Sequence, residues 1–470
     1  MIERDEIFIN GAWVPSAGSD VLTVTNPVTE ETVATIPAGA REDVDAAAQA
    51  AADAFPTWSQ TTVDERIEMF RELAKQTEAR ADDITAAIVS ELGYPVKFVE
   101  QAHTASAVGD LQCLADSLSD ITWNEQVGHT TVTRAAAGVV GAITPWNGPM
   151  GMVTNKAGAA IAAGCTVVLK GTEVAPLSSF IFAEIAEAAG LPAGVFNLVS
   201  GAGPDVGEAL VTHPLVDVVS LTGSTRAGRR VMEVASQSVK RVLLELGGKS
   251  ANIILEDADL QAAIEDGIED AFRNTGQACG ALTRVLVPRA RLAEAEEFAI
   301  RKAESYVLGD PYDPETTLGP VSNANQLRRV RDYIRSGIAE GAKLLTGGPE
   351  APEGLERGYF VRPTVFSGDN SLRVAREEIF GPVITIIPFD DEDDAFAIAN
   401  DTEYGLAGAI WAGDPERAKA AASRLRAGRI RINGSAINKR APHGGFKLSG
   451  IGREFGRYGI EEYLEYKAIG

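Results

Sequence analysis

The chain has 470 residues, 45% hydrophobic and 23% charged, with 43 Lys and Arg against 66 Asp and Glu for a formal net charge of −23. That length exceeds one hydrophobic core and predicts two or three domains, in a composition too apolar for a disordered chain. The acidity argues against nucleic acid and anionic membrane as partners, since both select basic surfaces.

Three cysteines, Cys113, Cys165 and Cys279, are too few for a disulfide framework in a chain this long, so reduced thiols are expected. The opening MIERDEIFIN is charged where a secretory signal is apolar, which predicts a cytoplasmic protein. The longest uncharged stretch, between Arg134 and Lys156, contains Pro145, Asn147, Pro149 and several glycines. It would make a poor membrane helix.

In chain order, EDVDAAAQAAADAF and VDERIEMFRELAKQTEARADDITAAIVSELG carry apolar residues at helical spacing up to Gly93. ITWNEQVGHTTVTRA alternates Thr and Val and predicts an exposed hairpin. From Gly138 the period changes. GVVGAITP, TVVLK, GVFNLVSG, VDVVSLTG and KRVLLELGG read as buried strands, separated in places by helices such as PLSSFIFAEIAEAAG and TRAGRRVMEVASQ. Buried strands alternating with helices predict a parallel α/β sheet of nucleotide-binding type. A second α/β region is expected after Gly248, with ANIIL, RVLVP and GPVITIIPF as strands. Its helices are NANQLRRVRDYIRSGIAEGA and PERAKAAASRLRAG, and the tail YGIEEYLEYKAIG reads as an extension.

Within this frame, FRNTGQACGALTR places Cys279 among amides and glycines rather than among core aliphatics. A thiol in that setting suits a nucleophile attacking a carbonyl carbon, with Asn274 as one amide able to donate to a developing oxyanion. Glu245 interrupts the apolar strand VLLEL just before two glycines. An acid there is costly unless it faces solvent or has work to do, such as activating a water. LTGSTRAG runs from a strand into a helix, where Ser224 and Thr225 would cap the helix and its amides would favour a phosphate. Glu245 also lies at the distance from Gly223 where a dinucleotide fold puts its ribose-binding acid. Spacing alone leaves both roles open. Trp146 and Asn147 follow one strand in ITPWNGPM, and Lys170 and Glu173 follow the next in VVLKGTEVAP, where cofactor ligands of α/β sheets collect.

Taken with NGAWV, NPVTEE, EEIFGPV and PHGGFKLSGIGRE, these segments resemble the aldehyde dehydrogenase superfamily, in its order and over essentially the whole chain. The resemblance implies an α/β fold with a Rossmann-like NAD-binding domain (residues 1–120 and 140–247) and a catalytic domain (248–435). A small β oligomerisation extension (121–139 and 436–470) would complete it. It implies Cys279 as nucleophile, Asn147 and the Cys279 amide as oxyanion hole, and Glu245 as the base that activates the deacylating water. It further implies Glu173 at the adenosine ribose beside Lys170, with Gly203, Gly223 and Ser224 toward the phosphates. Trp146, Glu378 and Phe380 would hold the nicotinamide end. NAD is the expected cofactor, with NADP less favoured, and no metal is expected. The expected assembly is a homodimer or homotetramer.

Three departures from the family pattern bear on the substrate. Gly171 replaces a frequent proline, Gly148 a frequent aromatic residue, and His443 a frequent phenylalanine. Gly148, Met152 and His443 would line the substrate tunnel, predicting an aldehyde bulkier than acetaldehyde, whether aromatic, terpenoid or long-chain. No arginine stands in the aligned tunnel segments, which ranks semialdehydes lower. Two other classes compete with this one. A cofactor-free cysteine hydrolase would need a histidine serving Cys279, and a non-enzymatic scaffold would have no need to keep Cys279, Glu245 and Asn147 together.

Overall fold

The change of period at Gly138 marks the centre of the first large sheet. In a computed structural model covering residues 1–470, this eight-stranded sheet runs Gly450–Ile451, Arg241–Glu245, Val218–Thr222, Val139–Ile143, Thr166–Lys170, Phe196–Val199, Glu6–Ile9 and Ala12–Pro15. The five strands from Arg241–Glu245 to Phe196–Val199 pair in parallel, and the outer ones are antiparallel. From Val139–Ile143 the chain builds outward in one direction, then returns to add Val218–Thr222 on the other side. This reversal of strand order is where open α/β sheets leave a crevice at their carboxyl ends.

Helices Arg41–Trp58, Val63–Ala79, Ala105–Leu118 and Leu177–Ala188 cover this sheet. Phe70, Leu73, Leu111, Phe180 and Phe182 are buried in its largest apolar cluster. Each such side chain contributes about 1.5–3 kcal/mol by leaving water. The long helical pattern beginning at Val63 divides at Arg80, whose backbone (φ −105°, ψ 16°) leaves helical geometry while its guanidinium pairs with Glu184. The next helix, Ala81–Leu92, stops at Gly93 (φ 67°).

The second sheet has seven strands in the order Lys343–Thr346, Thr364–Ser367, Val383–Phe389, Arg284–Pro288, Ala251–Ile254, Ala407–Trp411 and Arg429–Ile432, all parallel after the first pair. The hairpin Asn124–Val127 and Thr130–Ala136 forms a third sheet with the tail strand Leu464–Ile469. Within residues 436–470, Gly450–Ile451 instead joins the first sheet beside Leu244 and Glu245. That segment therefore packs on Glu245 rather than extending away from the body. No helix is long and apolar enough to cross a membrane.

Candidate active site

Helix Leu260–Phe272, capped by the Asp259 carboxylate accepting from the Ala262 amide at 3.1 Å, points its carboxyl end at the seam between the two large sheets. Three consecutive left-handed residues, Asn274 (φ 54°), Thr275 (φ 56°) and Gly276 (φ 74°), then reverse the chain. A side chain at Gly276 would collide with the Gly381 backbone at 2.1 Å. Thr275 is a costly residue in this conformation. Its hydroxyl donates to the Gly319 carbonyl at 3.1 Å, which ties the turn down. Gln277 completes the brace, accepting from the Ser322 amide at 2.9 Å and donating to the Asn274 carbonyl at 2.8 Å.

Cys279 follows this turn. Its carbonyl lies where a Cβ on Gly248 would stand, at 2.3 Å, so the paired glycines after Glu245 let the cysteine loop rest on the strand end. The residue is partly accessible yet surrounded by protein. Burial, and then the charges of Glu245 and Glu378, push its thiol up to about 12, while Arg429 opposes them.

Asn147 Nδ2 donates to the Gln277 carbonyl at 2.9 Å, which aims the side chain at the cysteine loop and leaves its second N–H for another acceptor. Asn274, a candidate oxyanion donor by sequence, has another use here. Its Nδ2 donates to the Asn147 carbonyl at 2.8 Å, and its Oδ1 lies 3.2 Å from His103 Nε2. It braces Asn147.

Glu245 is 5% exposed, and neither carboxylate oxygen has a hydrogen-bond partner. Burial, then the charge of Glu454, hold its carboxyl well above the usual range, while Lys156, Arg453 and Arg429 pull it down. Glu454 pairs with the buried Lys156 at 2.8 Å, and Lys156 also reaches the Ser220 hydroxyl at 3.2 Å. His443 exchanges backbone hydrogen bonds with Glu454 and stacks on Phe455 with ring centroids 5.0 Å apart. Its Nε2 lies 3.7 Å from Glu245 Oε2. Burial, then Arg429, push its imidazole down to about 3, so the ring is neutral.

The remaining expected positions gather along the carboxyl ends of the first sheet. Lys170 Nζ bonds Glu173 Oε2 at 2.9 Å. Burial works against the ionised Glu173, but Lys170 and a backbone hydrogen bond together keep the acid below the usual range. Ser224 caps helix Thr225–Ala235, accepting from the Ala227 amide at 3.2 Å, and is exposed at that helix start. The Gly223 amide donates to the Glu245 carbonyl at 3.0 Å, joining the turn to the strand Arg241–Glu245. A Cβ at Gly203 would meet nothing within 4 Å, and one at Gly223 nothing closer than 3.6 Å, so both leave open space.

Glu378 accepts from the Gly248 amide at 3.0 Å, and a Cβ at Gly247 would strike its carboxylate at 2.5 Å. Phe380 has φ 65° and meets the Trp146 ring edge-on at 5.4 Å. Gln326 and Arg329 hold the carbonyls around it. An acid beside a lysine, an exposed helix start and open glycines suit a dinucleotide laid across the crevice.

Gly148 starts helix Pro149–Val153. A Cβ there would meet only the Met152 methyl, at 3.9 Å, so the approach beside Asn147 is roomy. His443 sits by Glu245. A cavity of 640 Å³ lies on the far side of Asn274, lined by Tyr94, Phe98, Asp270, Arg273 and Arg431 among others, without Cys279, Glu245 or Asn147.

Residues 13–469 match the sequence model of the aldehyde dehydrogenase family. The chain belongs to that family. Among relatives, it is 48% identical to a 3-succinoylsemialdehyde-pyridine dehydrogenase of a Pseudomonas species, over 100% of this chain and 99% of the relative. Among solved structures, it superposes with TM-score 0.97 and 46% identity on aldehyde dehydrogenase C of Pseudomonas syringae, a cysteine-to-alanine variant complexed with NAD+ and octanal, covering 99% of this chain and 96% of that one. A Mycobacterium tuberculosis aldehyde dehydrogenase complexed with NAD+ gives TM-score 0.97 and 41% identity over 100% and 98% of the two chains.

Three residues of this aldehyde dehydrogenase were not singled out by sequence reasoning. Lys156 ends the longest uncharged stretch, where a solvated charge is the natural expectation, yet it is 1% exposed. Glu454 lies in the quoted segment GIGRE but carries no local sign of burial. Arg429 belongs to the strand RIRI, whose strict alternation was a readable strand signal. It lies beside Gly280, with Nη2 3.1 Å from where a Cβ would stand.

Proposed function

We propose that this protein oxidises an aldehyde to the carboxylic acid by covalent catalysis at Cys279, with NAD as oxidant and water as acyl acceptor. The protein is an NAD-dependent aldehyde dehydrogenase. The observation that carries the finer reading is the meeting, at Gly247–Gly248, of a reachable thiol, an amide aimed at its loop, and a buried Glu245 whose oxygens lack partners.

The cofactor's residues would be Lys170, Glu173, Gly203, Gly223 and Ser224 for the adenosine and phosphates, and Trp146, Glu378 and Phe380 for the nicotinamide end. Bound NAD supplies the hydride acceptor. Cys279, once deprotonated, adds through Sγ to the aldehyde carbon, and the second N–H of Asn147 and the Cys279 amide receive the charge that develops on oxygen. Loss of hydride from that adduct leaves a thioester on Cys279. Glu245 then takes a proton from a water, whose oxygen attacks the thioester carbon and releases the acid and the thiolate. The raised Glu245 carboxyl suits a base working near neutrality.

Glu173 supports NAD over NADP, because a carboxylate accepts from ribose hydroxyls and repels a 2′-phosphate. The open space at Gly148 supports an aldehyde bulkier than acetaldehyde, as does the octanal complex of the Pseudomonas syringae relative. A cofactor-free hydrolase finds no support, since the polar contacts of His443 are Glu245, Arg429 and the Glu454 backbone. The test is absorbance at the NADH wavelength with NAD and a panel of short, long-chain, aromatic and terpenoid aldehydes. Reduction of NAD with the larger aldehydes is expected, and inertness toward all of them would overturn the reading.

A further inference from the structure

The edge strand Arg429–Ile432 alternates its faces, so Ile430 and Ile432 pack on the apolar core of the second sheet while Arg429 and Arg431 face the other way. On that other side stand three arginines, Arg273, Arg429 and Arg431, and two aspartates, Asp266 and Asp270. Arg431 pairs with Asp266 at 2.8 Å and with Asp270 at 3.3 Å. Arg273 reaches Asp270 at 3.9 Å. Arg429 has no ion pair.

Its only polar contact is Nη1 at 3.4 Å from His443 Nδ1, and its buried Nε has no partner. Its Nη2 lies 3.1 Å from where a Cβ on Gly280 would stand, so the glycine after the nucleophile is what makes room for the guanidinium. The same charge acts on the Cys279 thiol, which places the guanidinium beside the nucleophile's loop. A guanidinium this enclosed is costly without an acceptor, and planar oxygens suit its fork of donors.

We propose that Arg429 receives a second oxygen of the substrate, a carboxylate or a ketone a few bonds from the aldehyde carbon, making short semialdehydes or keto-aldehydes the preferred substrates. The inference rests on Cys279 being the nucleophile. Glycine at 280 and arginine at 429 together shape the recognition, and His443, as a neutral acceptor, holds the guanidinium in place.

The test compares three aldehydes of matched length, succinic semialdehyde (carboxylate), 4-oxopentanal (ketone) and pentanal (neither), by kcat/KM for NADH formation. Wild-type enzyme should prefer at least one oxygen-bearing aldehyde over pentanal by roughly tenfold or more, the scale of a charge-assisted hydrogen bond. Preference confined to succinic semialdehyde identifies a carboxylate, and preference shared with 4-oxopentanal identifies a carbonyl oxygen. Arg429→Gln should reduce that ratio by roughly tenfold, while Arg429→Lys should keep part of it for the carboxylate. Absence of preference in wild type, or an equal fall on all three aldehydes in Arg429→Gln, overturns the inference and leaves Arg429 acting on Cys279 alone. If octanal and all three probes leave NAD unreduced, the dehydrogenase reading itself fails, and this inference with it.

Discussion

His443 Nε2 stands 3.7 Å from Glu245 Oε2, on a ring whose Nδ1 faces Arg429 at 3.4 Å. With the guanidinium donating to Nδ1, the neutral imidazole carries its proton on Nε2 and turns it toward the carboxylate. A residue expected to line a tunnel therefore stands against the proposed base. The same carboxylate is raised by burial and by Glu454, so the acid pair Glu245 and Glu454 sets where the base ionises.

The pH dependence follows from that pair. In the proposed mechanism deacylation needs ionised Glu245, so the rate should be lost as pH falls through a carboxyl pKa lying above the ordinary value. Glu454→Gln removes the like charge and frees Lys156, and both changes favour the carboxylate. The acid limb of the steady-state rate should move to lower pH in that variant. A shift in the opposite direction would show that Glu454 does not act on Glu245 in this way.

Cys279→Ala should remove aldehyde oxidation while leaving NAD binding, measured by calorimetry, nearly as in wild type. Loss of a covalent nucleophile costs several orders of magnitude in rate. Turnover within tenfold of wild type would assign the chemistry to another group.

Cofactor choice should depend on Glu173, whose carboxylate is steadied by Lys170. Wild-type enzyme should favour NAD over NADP in kcat/KM. Glu173→Gln should narrow the difference chiefly by improving NADP, because the repulsion of the 2′-phosphate is gone. Equal efficiency with both cofactors in wild type would contradict the assignment.

Gly148→Phe should fold, since the space around a Cβ there is open as far as the Met152 methyl. The ring would fill the approach beside Asn147. Efficiency should fall much more for an aromatic aldehyde than for acetaldehyde, and equal losses on both would show that Gly148 does not shape the approach.

The sheet, its crevice and the strand-end residues were legible because buried parallel strands read as continuous apolar runs, and Gly or Pro marks where they end. Glu245 stood out as an acid inside such a run, and Cys279 as a thiol among amides and glycines. The strands Glu6–Ile9 and Ala12–Pro15 were not singled out, because each is only four residues long and the pair joins the sheet through Phe196–Val199, far along the chain. Arg429 and Lys156 escaped for a different reason. A charge in the sequence reads as solvated, and only the fold brings Arg429 to Gly280 or lays Lys156 against Glu454. The place of His443 could not be read either, since its approach to Glu245 comes from a fold in which Gly450–Ile451 pairs with the strand that carries Glu245.

The account stands most directly on Glu245→Gln mixed with NAD and a substrate aldehyde, followed by stopped-flow absorbance and by mass spectrometry of the quenched protein. It predicts a burst of up to one NADH per active site, then a stall, with an acyl mass on the peptide that carries Cys279. Added coenzyme A should not restore turnover. Continued turnover at the wild-type rate with no acyl adduct, or rescue by coenzyme A with release of acyl-CoA, would contradict hydrolytic catalysis through Cys279 and Glu245.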